Sequence, residues 1–243
     1  MTPKTRALER EEELAGLAAR ASACQLCPQL VESRSQVVFG AGNASAQLMF
    51  VGEAPGASED REGVPFVGAS GKLLDTLLEE IGLSRQEVFI ANVLKCRPPE
   101  NRDPRPDEVA NCSPWLEAQL AVVEPALVVT LGNFATRLLR GDPAPIGKVR
   151  GRAEVVAVGS RSVRLYPLFH PAAALYRRPN LELLREDFAR IPGLLELGPP
   201  DQPRDEPVPD APVPEGEREP AREAGERPGP ADDERPGGQL GLF

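Results

Sequence analysis

The first 195 positions of the chain alternate between two patterns of apolar and polar residues. Short apolar runs rich in β-branched residues predict strands at Gln47–Val51, Val88–Leu94, Leu127–Leu131, Val155–Val158 and Val163–Phe169. Apolar residues at helical spacing predict helices at Thr5–Ala21, Gly71–Ile81, Pro106–Val123, Phe134–Leu139 and Leu181–Ile191. Strands that alternate with helices predict an α/β fold with a mostly parallel sheet covered on both faces.

In such sheets, ligands bind at the carboxyl ends of the strands. Three segments lie at predicted strand ends: GEAPG (52–56), NVLKCRPPENRDP (92–104) and FHPAAA (169–174). The last segment contains His170, which is the one histidine of the chain. The sequence therefore predicts a functional site at this edge of the sheet.

The composition changes after Leu195. Residues 196–243 hold 13 acidic and 5 basic side chains, many prolines and few large apolar residues. Such a segment buries too little apolar surface to offset the entropy lost on ordering. We therefore expect a folded domain over residues 1–195 and a disordered, acidic, Pro-rich linker over 196–238. The chain ends in a small apolar cluster, QLGLF (239–243).

Charge is distributed unevenly. The net charge is −9, but residues 1–195 hold 23 basic and 24 acidic side chains. The segment from Arg137 to Arg190 holds 11 basic and 5 acidic residues, so the folded part has a basic half that suits nucleic acid. We find no signal peptide and no apolar run of the roughly 20 residues that a membrane span needs. We expect a cytoplasmic monomer without a membrane partner.

The cysteines are candidate metal ligands. Cys24 and Cys27 form a CQLC pair, and Cys96 and Cys112 follow with prolines between them. Four cysteines with none left over suggest one closed four-thiolate site, and the irregular second pair favours a loop that wraps a cluster. From the residues alone, zinc, an iron–sulfur cluster and buried free cysteines remain open.

Four motifs in this order carry a family resemblance: VGEAPG, PFVGASGKLL, NVLKCRPPENRDP and LFHPAA. Together with the four cysteines they resemble the family-four, iron–sulfur uracil-DNA glycosylases of thermophiles. The resemblance implies a three-layer α/β/α sandwich around a four-stranded, mostly parallel sheet. It also implies a 4Fe–4S cluster, with zinc the weaker alternative, on Cys24, Cys27, Cys96 and Cys112. The implied reaction is hydrolysis of the bond between uracil and deoxyribose in DNA.

Two residues carry the chemistry of this expectation. His170 would donate a hydrogen bond to uracil O2, where negative charge develops as the base leaves. The amide of Asn92 offers a donor for uracil O4 and an acceptor for N3–H, and cytosine would fail both bonds. Phe66 is the expected stacking face for the ring. Without the motifs, these three would be interpreted as a capping histidine, a turn asparagine and a core aromatic.

The GEAPG segment predicts a loop near the scissile bond. Gly52, Ala54, Pro55 and Gly56 would let the backbone approach the flipped nucleotide. Ala54 stands where better-known relatives have an aspartate, so the group that activates water is open. Glu53 is the first candidate, and Glu59 and Asn101 are weaker ones.

DNA contacts are expected from the segment after His170. Leu175 or Tyr176 would act as a wedge in the base stack. Phosphate contacts are expected from basic side chains, namely Arg177, Arg178, Lys148, Arg150 and Arg152.

The C-terminal Gln239–Phe243 resembles the short peptide with which bacterial proteins bind the replication sliding clamp. The alternative function is a non-catalytic or covalently trapping uracil-DNA binder of the same superfamily; the trapping relatives carry a basic, histidine-containing loop where this chain has ENRDPRPDE.

Overall fold

Strands and helices alternate along residues 2–203, the part of the chain that the computed structural model describes. The strands are β1 (Ala41–Gly42), β2 (Leu48–Gly52), β3 (Phe89–Asn92), β4 (Leu127–Leu131), β5 (Glu154–Val158) and β6 (Arg161–Leu168). The helices are α1 (Pro3–Ser22), α2 (Pro28–Ser33), α3 (Ala57–Glu62), α4 (Ala69–Glu80), α5 (Pro106–Val123), α6 (Asn133–Arg140), α7 (Ile146–Val149), α8 (Pro171–Leu175), α9 (Arg178–Phe188) and α10 (Ile191–Leu195), with a 3-10 helix at Pro99–Asn101.

One sheet contains all six strands, in the order β1-β3-β2-β4-β6-β5. The four central strands are parallel, as predicted. The sheet is wider than the predicted four strands because β1 and β5 each add an antiparallel edge. β5 matches the predicted strand 155–158, whereas β1 was missed because two residues are too short to show a period.

Two apolar cores cover the two faces of the sheet. Along β2, Met49 and Val51 belong to the core under α1, α5 and α6, while Leu48 and Phe50 belong to the core under α4 and α9. Both sets are buried because a parallel sheet is covered on both faces. In the second core the rings of Phe50 and Phe188 stack with their centroids 5.8 Å apart. The predicted three-layer α/β/α sandwich is confirmed.

The long helices follow the predicted pattern and the short ones do not. Helix α5 has the predicted bounds, including an internal proline at Pro114. Helices α2, α3, α7, α8 and α10 have four to six residues each, too few to show helical periodicity. The predicted helix 181–191 instead starts at Arg178 and ends at Phe188, and α10 follows it.

The carboxyl ends of the parallel strands meet at one edge of the sheet. The chain passes from β2 to β3 on one side and later returns to β4 on the other, which makes a switch point beside β2. Crevices at such points bind ligands in open α/β sheets.

Within residues 2–203, no helix combines the length and apolar character needed to cross a membrane. The last helix ends at Leu195; most of the predicted linker and all of 239–243 lie outside the described residues.

Candidate active site

A pocket of about 180 Å³ lies at the carboxyl edge of the sheet. It is lined by Ala54, Gly56, Glu59, Phe66, Ser70, Asn92 and His170. This volume is below the roughly 300–1,000 Å³ of sites for drug-sized ligands and suits a single small ring. The structure thus brings together three predicted residues from distant parts of the chain, Phe66, Asn92 and His170. Ser70, which is half-buried in the first turn of α4, was missed because a serine at a helix start has no distinctive sequence signal.

Asn92 presents an unpaired amide to this pocket. The residue ends β3 opposite Gly52 and is 2% exposed. Its side chain makes no hydrogen bond to any residue from 2 to 203, although buried amides are normally bonded. The backbone carbonyl of Asn92, by contrast, accepts a hydrogen bond of 2.8 Å from Lys95 Nζ. The main chain is therefore fixed while the amide remains available for a ligand.

Lys95 is a supporting residue that the sequence did not indicate. Its side chain is fully buried and also donates to Gln119 Oε1 at 2.5 Å. Burial lowers the pKa of Lys95 to about 8. Gln119 in turn donates to the carbonyl of Phe39 at 2.8 Å. These hydrogen bonds anchor the end of β3 to α5. In the sequence, the role of Lys95 could have been suspected only from the presence of a lysine at the end of an apolar strand.

His170 is held in one orientation and one tautomer. It precedes the first residue of α8, and its Nδ1 accepts a hydrogen bond of 3.1 Å from the backbone N–H of Ala172. Burial lowers the pKa of His170 to about 4, with a smaller opposing effect from Glu59. A neutral imidazole that accepts at Nδ1 carries its proton on Nε2. The residue is both a helix cap and a potential hydrogen-bond donor to a ligand.

Phe66 forms an aromatic wall of the pocket. Its ring stacks on the His170 imidazole with 5.5 Å between centroids and 25° between planes. Its φ angle is 54°, in the left-handed region that bulky residues rarely adopt. Strained residues of this kind cluster at functional sites. The ring position therefore depends on contacts that hold this backbone in place.

Glu59 ties two loops together beneath the pocket. Its Oε2 accepts a hydrogen bond from the N–H of Gly56 at 3.1 Å. Its Oε1 accepts from the N–H groups of Val67 and Gly68 at 2.9 and 3.0 Å. These three bonds join the GEAPG segment to the loop of Phe66. Asn101, the other weak candidate, accepts a bond of 2.7 Å from Arg97 Nε and does not line the pocket.

Glu53 lies in a neighbouring groove rather than in the pocket itself. This groove of about 840 Å³ is lined by Glu53 and His170, by apolar residues of α5 and α6, and by the charged residues Asp103, Arg137 and Asp142. Burial raises the pKa of Glu53, and Asp103 adds to the rise. Since His170 borders both cavities, the groove that contains Glu53 adjoins the pocket.

The four cysteines carry free thiols on one side of the sheet. Cys24 and Cys27 both precede α2, Cys96 follows β3, and Cys112 lies in α5. Three of the sulfurs accept hydrogen bonds. Cys27 accepts from Asn111 Nδ2, Cys96 accepts from Arg34 Nη1, and Cys112 accepts from the backbone N–H of Lys95.

Burial disfavours the thiolate form at Cys96 and Cys112. Burial raises the pKa of Cys112 to about 12 and also raises that of Cys96. Thiolates at neutral pH thus need strong positive partners, which a metal group supplies. Within residues 2–203, no three potential ligands lie close enough to bind one common ion.

The predicted DNA-contacting residues have different surroundings. Leu175 and Tyr176 are 45% and 87% exposed, on α8 and just after it. Arg177, Arg178 and Lys148 are exposed. Arg150, however, is mostly buried, donates to Asp187 Oδ2 at 3.1 Å and stacks over the ring of Phe169. The guanidinium of Arg150 is thus engaged within the protein.

Comparison with known proteins agrees with this fold and site. Residues 39–191 match the Uracil DNA glycosylase superfamily, and this range spans β1 to the start of α10. The chain belongs to this superfamily. The matched range contains the pocket and two of the four cysteines, Cys96 and Cys112.

Relatives at higher identity belong to one type within the superfamily. The type-4 uracil-DNA glycosylase of Saccharolobus solfataricus is 46% identical, over 72% of this chain and 83% of that protein. Those of Archaeoglobus fulgidus and Thermotoga maritima are 42% and 43% identical, over 74% and 70% of this chain and 92% and 88% of their own lengths. The resemblance read from the four motifs is confirmed.

Proposed function

We propose that this protein is a monofunctional uracil-DNA glycosylase that hydrolyses the N-glycosidic bond of flipped-out deoxyuridine, leaving free uracil and an abasic site for base excision repair. The observation that carries the proposal is the pocket of about 180 Å³ in which an unpaired Asn92 amide, the Phe66 ring and a neutral His170 meet. We further propose that it acts as a monomer in the cytoplasm. Family membership supports the same reaction.

Asn92 selects the base. A planar ring that enters the pocket stacks on Phe66, and its edge meets the amide of Asn92. Uracil pairs its O4 with the amide N–H and its N3–H with the amide oxygen. Cytosine would place its amino group against the N–H donors of the amide and its unprotonated N3 against the amide oxygen, so neither bond could form. A buried mismatch of this kind discriminates by roughly 10⁴-fold or more.

His170 stabilises the departing base. As the glycosidic bond breaks, its electron pair moves onto the uracil ring and negative charge appears at O2. The Nε2–H of His170 donates to this oxygen, and the bond at Nδ1 fixes the tautomer that makes donation possible. A single pre-oriented donor of this kind is worth about 3–4 kcal/mol in the transition state.

Water attacks the sugar carbon from the side of the neighbouring groove. The Glu53 carboxylate there accepts a proton from the attacking water, whose hydroxyl forms the new bond to the sugar. The raised pKa of Glu53 makes its carboxylate a stronger base than an exposed one. The proton on Glu53 then balances the negative charge left on uracil.

Cys24, Cys27, Cys96 and Cys112 would hold a 4Fe–4S cluster. The donor set fits, because four free thiols with three N–H donors to sulfur match thiolate ligation of a multi-iron group. Such a cluster would supply a structural tie between the start of α2, α5 and the segment after β3, where Cys96 lies four residues beyond Asn92. The chemistry at uracil is performed by Asn92, His170 and Glu53.

DNA binding is proposed on the surface around α8. Tyr176, with Leu175 beside it, fills the space that the flipped base leaves in the stack. Arg177, Arg178 and Lys148 contact phosphates, which position the duplex without reading its sequence. Arg150 would support this surface through its ion pair with Asp187. Its guanidinium is engaged there, so we do not propose it as a free phosphate ligand.

Alkali treatment of a uracil-containing oligonucleotide after incubation with the protein tests the function. Alkali-labile cleavage at uracil and release of the free base are expected. His170→Ala and Asn92→Ala should lower turnover by about 10²–10³-fold, while Asn43→Ala, a matched amide change distant from the pocket, should not. Tight binding without base release, or a covalent adduct, would favour the non-catalytic or trapping alternative.

A second part of the proposal concerns the C-terminal peptide. Leu240, Leu242 and Phe243 form a short apolar anchor after an acidic tether. A flexible chain of about 40 residues spans roughly 35 Å on average, and a tether of that reach would let a clamp hold the enzyme near DNA. We expect deletion of residues 239–243 to remove binding to the bacterial sliding clamp without changing uracil release. Unchanged clamp affinity would refute this part alone.

A further inference from the structure

Arg85 clamps the loop that carries Phe66. Its guanidinium donates to three acceptors at once: Nη1 to the carbonyl of Pro65 at 2.9 Å, Nη2 to the carbonyl of Phe66 at 2.6 Å, and Nε to Asp75 Oδ1 at 2.8 Å. The planar fork of arginine matches such a set, which a lysine could satisfy only in part. Asp75, on α4, fixes the fork in its plane.

The clamped backbone is the strained part of the pocket. Phe66 has a φ of 54°, a conformation that a free chain with a bulky side chain avoids. Its carbonyl packs against the first turn of α4, where a Cβ on Gly71 would lie 1.7 Å from the carbonyl oxygen. The oxygen reaches Arg85 only because position 71 has no side chain.

The loop is held from both directions. Arg85 donates hydrogen bonds to the carbonyls of Pro65 and Phe66. The carboxylate of Glu59 accepts hydrogen bonds from the N–H groups of the next two residues, Val67 and Gly68. With both sets satisfied, the Phe66 ring is directed against His170 and toward Gly52. Glu59 itself lines the pocket, but Arg85 does not.

We infer that Arg85 is a positioning residue, which keeps Phe66 in its left-handed conformation and so maintains the stacking wall for the uracil ring. The inference rests on the proposed function. Without the clamp, the backbone of Phe66 relaxes and the ring leaves the pocket in a fraction of molecules. The apparent affinity for the base then falls in proportion to the fraction that remains competent.

A double-mutant cycle tests this inference. Arg85→Ala and Phe66→Ala are each expected to weaken inhibition by free uracil and to lower kcat/KM on uracil-containing DNA by about 10- to 100-fold. The double variant should resemble Phe66→Ala alone, because Arg85 acts through that ring. Arg85→Lys should recover part of the loss. If the loss in the double variant equals the product of the two single losses, the two residues act independently and the inference is overturned.

Two controls separate positioning from general stability. Arg185 pairs with Glu80 on an exposed surface, so Arg185→Ala removes an arginine ion pair without reaching the pocket. It should leave the uracil inhibition constant unchanged. The φ angle of Phe66, measured by NMR scalar couplings, gives a readout that needs no turnover. A positive φ retained in folded Arg85→Ala would overturn the inference even if the protein released no uracil, whereas a wild-type protein that fails to release uracil would overturn only the proposed function.

Discussion

The backbone N–H of Ala172 donates a hydrogen bond of 3.1 Å to Nδ1 of His170. This bond turns an ordinary helix cap into a tautomer selector, because the neutral ring must then carry its proton on Nε2. The neutral form is secured by burial, which lowers the pKa to about 4. The geometry of α8 thus determines the hydrogen-bond donor of the proposed reaction.

The single histidine makes its protonation directly measurable. We expect the one imidazole NMR signal to titrate near pH 4, and His170 to impose no loss of kcat/KM between pH 7 and 5. A titration midpoint near 6.5, the ordinary value, would contradict this.

The same shift has a consequence for stability. Because the folded pKa lies below the unfolded value of 6.5, the unfolded chain takes up the proton first as the pH falls. The contribution of His170 is therefore lost between about pH 6.5 and pH 4, up to roughly 3 kcal/mol. Urea unfolding at pH 7 and pH 5 should show a larger loss in the wild type than in His170→Gln.

Replacing the amide of Asn92 by a carboxylate should change base preference. In Asn92→Asp the donor to uracil O4 is lost, whereas the amino group of cytosine gains an acceptor. We expect uracil release to fall by about 10²-fold or more and the ratio of cytosine to uracil release to rise. Parallel assays on matched oligonucleotides measure both rates. An unchanged ratio would mean that another group reads this edge of the base.

Gly52 is expected to be essential for space rather than for backbone conformation. A Cβ at this position would lie 2.3 Å from Asn92 Oδ1 and 2.8 Å from Phe66 Cζ. Gly52→Ala should therefore displace both groups and raise the uracil inhibition constant and the KM by about tenfold or more. Gly16→Ala, where a Cβ meets no atom within 4 Å, is the matched control and should leave both constants unchanged.

Removal of one thiolate should remove the proposed cluster. Anaerobically purified wild-type protein is expected to be brown and to contain about four irons per chain. Cys96→Ala should lose the iron, the broad visible absorption and thermal stability together. Ser113→Ala, a change of similar size next to Cys112, should retain all three. Stoichiometric zinc in colourless wild-type protein would refute the cluster.

Several features of the fold and site could be predicted because they depend on short stretches of chain. The parallel strands are continuous apolar runs, and α5 has enough turns to show its period, so both were located. His170 and Asn92 were identified because each lies in a short motif of the family resemblance, near the end of a predicted strand. The edge strand β1 and the short helices were missed because two to six residues carry no periodic signal.

Other features depend on contacts between segments far apart in sequence. The engagement of Arg150 by Asp187 joins positions 37 residues apart, and nothing near Arg150 distinguishes it from the exposed Arg152. The clamp from Arg85 to the loop of Phe66 and the role of Lys95 behind Asn92 are of the same kind. In each case the partner, not the residue itself, decides the role.

The sequence by itself determined the layered α/β architecture, the strand ends that carry the chemistry and the family of the chain, because these follow from local periodicity and from motifs in a fixed order. Only the tertiary structure decided that His170 is neutral with its proton on Nε2, that the Asn92 amide has no hydrogen-bond partner among residues 2–203, and that Phe66 is held in a strained conformation. Burial and hydrogen bonding arise when distant segments pack together, and these two effects set the protonation and orientation on which the proposed reaction depends.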